Sequence, residues 1–303
     1  MPVKSHVLQQ MDVTRILAFL YMILGAIVGI GMNAYVFYML RKSYYRSAFH
    51  IFCRSKTIAN IIVLFACLFW AGPATVINKL FLPEFVHGFI GNFSLMGAYG
   101  MGPLITFCMT INRFLAVFYP LKFRTHKGYL TTIVSLTVCF GISFVLFLYG
   151  VVKGECTFQY DLETLSWLPV TECAQAANFA LLYIVIILTI VSTFVNSLTF
   201  LRITRDLQTI LNDSALIMRM RKNRLLLIQN FIQDLLYVID LLGGIYAPQW
   251  LPYVWYQFLV NSALWQTHVS LDGFVMYWYN RRERNRITAT TMKRAGASSG
   301  VVL

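Results

Sequence analysis

The sequence predicts an all-α membrane protein: a bundle of seven transmembrane helices, N-terminus outside and C-terminus cytoplasmic. Composition is the first observation behind that expectation. Of 303 residues, 58% are hydrophobic and 12% charged, where a soluble domain is nearer half apolar and a quarter charged. Hydropathy is the second. Seven apolar runs, at residues 16–40, 57–77, 88–112, 129–152, 174–201, 225–251 and 253–279, match the ~20 residues that a hydrocarbon core of about 30 Å requires. Charge is the third. All but Lys4, Arg15, Lys79 and Lys153 of the 25 Lys and Arg fall on one side of a path that crosses seven times. The positive-inside rule makes that side cytoplasmic.

Span one follows a polar segment, and its apolar run is too long for a cleavable signal's core, so it reads as an uncleaved first span. It carries Asn33, eight residues before Arg41, or about 12 Å from the inner boundary. Arg41, Lys42, Arg46, Arg54 and Lys56 read as the first cytoplasmic loop. Span two then carries Asn60 in its inner part and ends at Trp70-Ala71-Gly72-Pro73. Span three has no charged residue between Gly88 and Asn112, and Asn112-Arg113-Phe114 closes it. An arginine is costly inside lipid but tolerated at its edge, where the stem snorkels. Pro120-Leu121 follows, and a proline there ends a helix without sacrificing an internal bond.

Span four leads to the loop that holds Cys156 and Cys173, the only cysteines expected outside. A pair in an oxidising compartment points to a disulfide that closes this loop; two unpaired thiols are the alternative. Cys53, Cys67, Cys108 and Cys139 read as packing residues. Asn92-Phe93-Ser94 is the one glycosylation triplet near the outer face, and it lies close to the membrane for modification. Span five and the basic segment 202–224 precede span six, where Gln229, Gln233, Tyr237 and Asp240 form one helical stripe with Asn230 and Asp234 beside it. Span seven has a comparable stripe in Asn261, Trp265, His268 and Asp272. Residues 280–303 read as a cytoplasmic tail. No repeat or Gly/Ser linker divides the chain, so residues 1–303 read as one domain.

Polar groups inside a membrane are expensive and point to function. Asn33, Asn60 and Asp272 stand at similar depth and are expected to form an intramembrane polar cluster; a purely structural knot that specifies helix packing is the alternative. The stripes of spans six and seven suggest an interior that opens outward, with Asp240, Trp265, His268, Tyr256 and Tyr237 as candidate ligand-binding residues. Interhelical hydrogen bonding without a ligand is the competing account. The net charge of +13 is segregated between apolar runs rather than gathered into one stripe, so no nucleic-acid partner is expected. The five histidines have no metal-ligand spacing, and no nucleophile elbow or phosphate-binding loop occurs. Neither an enzyme nor a cofactor or metal is expected.

The stretch from Asn112 to Leu121 resembles the end of helix three in rhodopsin-like G-protein-coupled receptors, which read Asp/Glu-Arg-Tyr with Pro-Leu seven residues after the Arg. Here Asn112 and Phe114 replace the acid and the Tyr, so the local ion pair that restrains the arginine cannot form. The polar cluster resembles that family's as well, but its carboxylate has moved from helix two to Asp272. Span seven has no lysine for a retinal Schiff base, and Leu95 stands where monoamine receptors carry their amine-binding acid. The segment from Leu226 to Asp240, with Asp272-Gly273, Trp70-Ala71-Gly72-Pro73 and Asn112-Arg113-Phe114, looks most like the nematode serpentine chemoreceptors of class Srx. That resemblance implies a plasma-membrane receptor of sensory cilia that binds a small environmental or pheromonal molecule. It also implies signalling to a heterotrimeric G protein through Arg113 and its neighbours Asn112, Phe114, Pro120 and Leu121. A transporter or ion channel using the intramembrane carboxylates, and a non-signalling receptor chaperone, are the alternatives. The partners expected are therefore a G protein, a small-molecule ligand and membrane lipid.

Overall fold

The computed structural model describes the backbone over residues 2–42, 48–119, 126–153, 156–209 and 214–298, and side chains over 13–42, 48–119, 129–152, 156–206 and 223–281. The described residues form seven helices and one hairpin. In chain order these are α1 (Pro2–Lys42), α2 (Ala48–Ile77), α3 (Glu84–Phe118), α4 (His126–Lys153), β1 (Phe158–Asp161), β2 (Ser166–Pro169), α5 (Glu172–Thr209), α6 (Ser214–Tyr246) and α7 (254–298). Six helices are long and apolar enough to cross a membrane. In α7, Gln257, Asn261, Gln266, His268 and Asp272 dilute the apolar residues. That helix belongs to the bundle because Gln266, His268 and Asp272 turn inward and are buried.

Helix α3 is central and touches α2, α4, α5 and α6, while α1 packs against α2 and α7. The inner faces supply a core that includes Val36, Leu64, Ile105, Met109 and Met276. On α5, Tyr183, Ile187, Ile190 and Phe194 recur at helical spacing and are all exposed. Such a stripe suits contact with lipid tails.

Two departures from the sequence reading matter for function. Helix α2 begins at Ala48 rather than at residue 57, so Arg54 and Lys56 are helical. Lys56 is not a loop charge at all; it is fully buried. Lysine is a good helix former, and the cost of burying its charge is met by a carboxylate described below.

The second departure is a set of widened π turns at Cys67–Ala71 in α2, Phe93–Tyr99 in α3 and Leu259–Ala263 in α7. Pro73 and Pro103 explain the first two. A proline has no N–H to give, and its ring crowds the carbonyl four residues back. Those carbonyls belong to Phe69 and Tyr99, both inside the widened turns. An extra residue rotates everything beyond it by roughly 100° around the helix.

The β1–β2 hairpin covers the outer end. Its strands pair antiparallel, from Phe158 opposite Pro169 to Asp161 opposite Ser166. Asp161 Oδ2 closes the loop by accepting from Thr164 N at 2.9 Å and Thr164 Oγ1 at 2.6 Å. Several tethers hold the hairpin to the bundle. Cys156 and Cys173 are disulfide-bonded, with Cα atoms 4.9 Å apart. Asn92 Nδ2 donates to Cys156 O at 3.1 Å, and Phe158 N donates to Asn92 Oδ1 at 3.0 Å. Ser262 Oγ of α7 donates to Leu165 O at 2.8 Å, and Arg15 of α1 donates to Leu162 O at 3.3 Å. Thr75 Oγ1 and Tyr160 Oη lie 2.7 Å apart, and burial pushes the Tyr160 phenol above its ordinary pKa, which keeps it neutral. The Asn92 amide is 1% exposed with both ends engaged. It is a latch for the hairpin, with no room for a glycan.

Candidate functional site

Beneath the hairpin lies a narrow cleft of about 90 Å³, smaller than the ~300 Å³ at which typical small-molecule sites begin. Tyr99 of α3, Trp167 of β2, Asp240 of α6, and Asn261 and Trp265 of α7 are among its walls. The π turns of α3 and α7 end at or contain Tyr99 and Asn261, so the widened turns help aim these side chains. Tyr99 Oη donates to Asp240 Oδ2 at 2.7 Å, and His268 Nδ1 stands 2.8 Å from the same oxygen. Three helices thus converge on one carboxylate that is 5% exposed. Buried polar groups persist when they are hydrogen-bonded, and Oδ2 of Asp240 has two such neighbours.

Aromatic rings complete the enclosure. Trp265 meets Tyr99 and Trp167 edge-on at centroid distances of 5.9 and 6.0 Å. Tyr237 lies under His268 at 4.2 Å and beside Tyr99 at 5.3 Å. A Cβ added to Gly102 of α3 would run into the Tyr237 hydroxyl, so the glycine is what lets this ring reach α3. Asp240, Trp265, His268 and Tyr237 therefore gather as the stripes imply. Tyr256 does not join them. It packs against Trp255 at 5.9 Å, away from the cleft. It lies five residues before Asn261, ahead of the π turn at Leu259–Ala263, a spacing that is off the stripe of Asn261, Trp265, His268 and Asp272. Tyr99 and Trp167 were not legible from the stripes, since one follows an unforeseen π turn and the other lies on the hairpin.

A second polar centre lies deeper. Asn60 Nδ2 donates to Asn33 Oδ1 at 3.1 Å and to Asp272 Oδ2 at 2.8 Å. Asn33 in turn donates to Gly29 O at 2.9 Å. Gly273 makes room for this meeting, because a Cβ there would stand 2.7 Å from Asn33 Nδ2. Two partners come from outside the expected cluster. Lys56 Nζ reaches Asp272 Oδ1 and Thr106 Oγ1, each at 2.9 Å, and Gln233 Nε2 donates to Asp272 Oδ1 at 2.7 Å. Helices α1, α2, α3, α6 and α7 are joined at this point. The Lys56 ammonium also lies 5.1 Å from the centre of the Tyr237 ring. Tyr237 therefore touches both polar centres.

At the opposite end from the cleft, Arg113 is 6% exposed. Its guanidinium stacks over Phe49 at 4.0 Å, and Nη1 lies 3.4 Å from Asn223 Oδ1 near the inner end of α6. Asn112 is half-buried, and its Nδ2 has no acceptor among the described residues. Phe114 stacks on Phe118 at 4.4 Å. Pro120 and Leu121 lie outside the described residues. Among the described residues no group of His, Cys, Asp and Glu has the arrangement of a metal site.

Comparison with protein families matches residues 23–280 to the serpentine type 7TM GPCR chemoreceptor family Srx. No curated protein matches the sequence.

Proposed function

The chain belongs to the Srx family of serpentine seven-transmembrane chemoreceptors, and from that premise we propose that it binds a small molecule in the outer cleft and signals to a heterotrimeric G protein through the inner ends of α3 and α6. It is a multi-pass membrane protein and a receptor rather than an enzyme. The observation that carries the ligand site is the convergence of Tyr99, Asp240 and His268 on one buried oxygen in a walled cleft. We place the receptor in the plasma membrane, with sensory cilia as the compartment that fits a chemoreceptor. An environmental or pheromonal molecule is the ligand class in keeping with the family.

Mechanistically, the ligand needs a higher affinity for the signalling arrangement than for the resting one, since only differential affinity moves a population. The cleft and the Arg113–Asn223 contact share helix α6. A change in how α6 packs against α3 and α7 at Asp240 is thus borne by the same helix that holds Arg113. Arg113→Ala is expected to keep surface expression and lose agonist-stimulated nucleotide exchange on the G protein. Undiminished exchange would remove Arg113 from the coupling role and move weight to a non-signalling chaperone.

One observation favours a second reading. Asp234 is 5% exposed, and its Oδ2 has no hydrogen-bond partner among the described residues. A buried carboxylate so placed is what an ion-translocating protein would use. Ion flux in liposomes reconstituted without any G protein would decide for that reading.

A further inference from the structure

The carboxylate that walls the outer cleft is engaged through one of its two oxygens. Asp240 Oδ2 takes the Tyr99 hydroxyl at 2.7 Å and faces His268 Nδ1 at 2.8 Å. Oδ1 has no hydrogen-bond partner among the described residues and is open on the cleft wall. An ionised carboxylate oxygen can only accept, so what fits beside it is a donor. Among the described residues the one ion-pair neighbour of Asp240 is His268, with no lysine or arginine in contact. The other ring nitrogen, His268 Nε2, is buried and has no hydrogen-bond partner among the described residues. A neutral ring that donates from Nδ1 leaves only an acceptor unmet there. An imidazolium would leave a charged donor unmet, which is the costlier of the two. The hydrogen bonds thus favour a carboxylate charge with no fixed counter-charge.

The remaining walls suit a small cation with a short apolar chain. Asn178 of α5 brings a half-buried amide to the cleft, and its carbonyl oxygen can accept a second N–H. Tyr99, Trp167 and Trp265 contribute aromatic surface, the kind of apolar surface to which a cation is attracted. Leu95 and Leu241 are aliphatic. The space of about 90 Å³ is about three times the ~30 Å³ that one water occupies in the liquid. That is room for an ammonium group and a few carbons, and too little for a fused ring system.

We infer that the ligand of this cleft is a small alkylamine bound as its ammonium ion, which donates to Asp240 Oδ1 and lays its short chain along the aromatic and aliphatic walls. This inference rests on the reading of the outer cleft as the ligand site. An alcohol of the same size can donate once but brings no charge to meet the carboxylate's. A carboxylic acid would set a second anion beside Asp240, and two carboxylates sharing a site repel. Asp240 is thus specificity-determining for charge, and the narrow walls for size.

The test uses the full-length receptor in lipid nanodiscs, titrated by saturation-transfer NMR with empty nanodiscs as the partition control. The probes are n-propylamine, 1-propanol, propionate and the bulkier amine 2-aminoindane. n-Propylamine is expected to bind about tenfold or more tightly than 1-propanol, the scale of one charge-assisted hydrogen bond. Propionate and 2-aminoindane are expected to bind more weakly than n-propylamine. Asp240→Asn keeps the size of the side chain and removes its charge, so it should weaken n-propylamine about tenfold and leave 1-propanol unchanged. The alcohol then reports that the cleft is intact. Tyr99→Phe removes the partner of Oδ2 and keeps the carboxylate, so n-propylamine should stay ahead of 1-propanol. Equal binding of n-propylamine and 1-propanol, tightest binding by propionate or 2-aminoindane, or no binding by any probe would overturn the inference. So would an Asp240→Asn variant that binds n-propylamine as wild type does, or that loses amine and alcohol equally. Amine binding without nucleotide exchange would leave the inference standing and refute the signalling role. Exchange evoked by 1-propanol or propionate and not by the amine would do the reverse.

Discussion

Replacing Lys56 with methionine tests whether the deeper polar centre holds the bundle together. Lys56 and Asp272 are both fully buried and 2.9 Å apart. Removing one partner of such a pair typically costs about 3–5 kcal/mol, because the other charge is left uncompensated. The structure fixes where in that range each substitution falls. In Lys56→Met, Asp272 keeps Asn60 at 2.8 Å and Gln233 at 2.7 Å, so the cost should lie near the low end, about 3 kcal/mol. In Asp272→Asn, the ammonium loses its only hydrogen-bonded carboxylate among the described residues, keeping Thr106 at 2.9 Å and the more distant Asp234. That substitution should cost more, toward about 5 kcal/mol. The double variant Lys56→Met with Asp272→Asn removes both charges of the pair and should be more stable than either single one. Thermal unfolding of the detergent-solubilised receptor can be followed with a maleimide dye, which reads exposure of the buried thiols Cys53 and Cys67. The expected order of midpoints is wild type, double variant, Lys56→Met, Asp272→Asn. A Lys56→Met midpoint equal to wild type, or a double variant below both singles, would refute the reasoning.

The same centre predicts a rescue: Asn60→Asp should impair ligand-evoked signalling by crowding two carboxylates, and adding Asp272→Asn should partly restore it, since Lys56 lies one turn away on α2. Gly102→Ala should cost about 1–3 kcal/mol by driving a methyl into the Tyr237 hydroxyl; combining it with Tyr237→Phe should recover part of the loss in the same unfolding assay. Cys156→Ser opens a loop of 17 residues and should cost about 3 kcal/mol, with a reducing agent lowering the wild-type midpoint comparably and leaving the variant's midpoint unmoved. Tyr160→Phe should cost about 1 kcal/mol through the lost contact with Thr75, a small downward shift that Thr75→Val should not add to.

The class of fold was legible because two of its causes act over whole segments. Lipid demands a run of apolar residues, and membrane insertion demands an asymmetric distribution of Lys and Arg; both leave marks that a single substitution cannot hide. Helix limits were less legible. In α2, the charges of Arg54 and Lys56 make the segment ahead of residue 57 read as a loop, yet nothing from Ala48 to Lys56 ends a helix. Hydropathy reads the cost of burying a lysine and cannot read the carboxylate 216 positions later that offsets it. The outer end of α7 failed for a different reason. Tyr256 stands five residues before Asn261 and ahead of the widened turn at Leu259–Ala263, so the stripe of Asn261, Trp265, His268 and Asp272 does not extend to it.

The site shows the same division between what pattern encodes and what contact decides. Asn33, Asn60 and Asp272 could be grouped from depth alone, since equal distance from the inner boundary is a property of each span separately. Asp240, His268, Trp265 and Tyr237 could be grouped because helical stripes on α6 and α7 face each other. Tyr99 and Trp167 belong to neither stripe, and their place follows from tertiary packing: Tyr99 from a turn widened ahead of Pro103, Trp167 from a hairpin latched by Asn92 and the Cys156–Cys173 bond. The relation between the two polar centres was likewise invisible. Tyr237 occupies one stripe position among several, but its ring is the surface that His268 meets at 4.2 Å and that the Lys56 ammonium faces at 5.1 Å. It can stand there only because residue 102 has no side chain. A glycine on α3 is therefore part of the geometry that sets the outer cleft against the charged core, and no property of α6 alone would have revealed it.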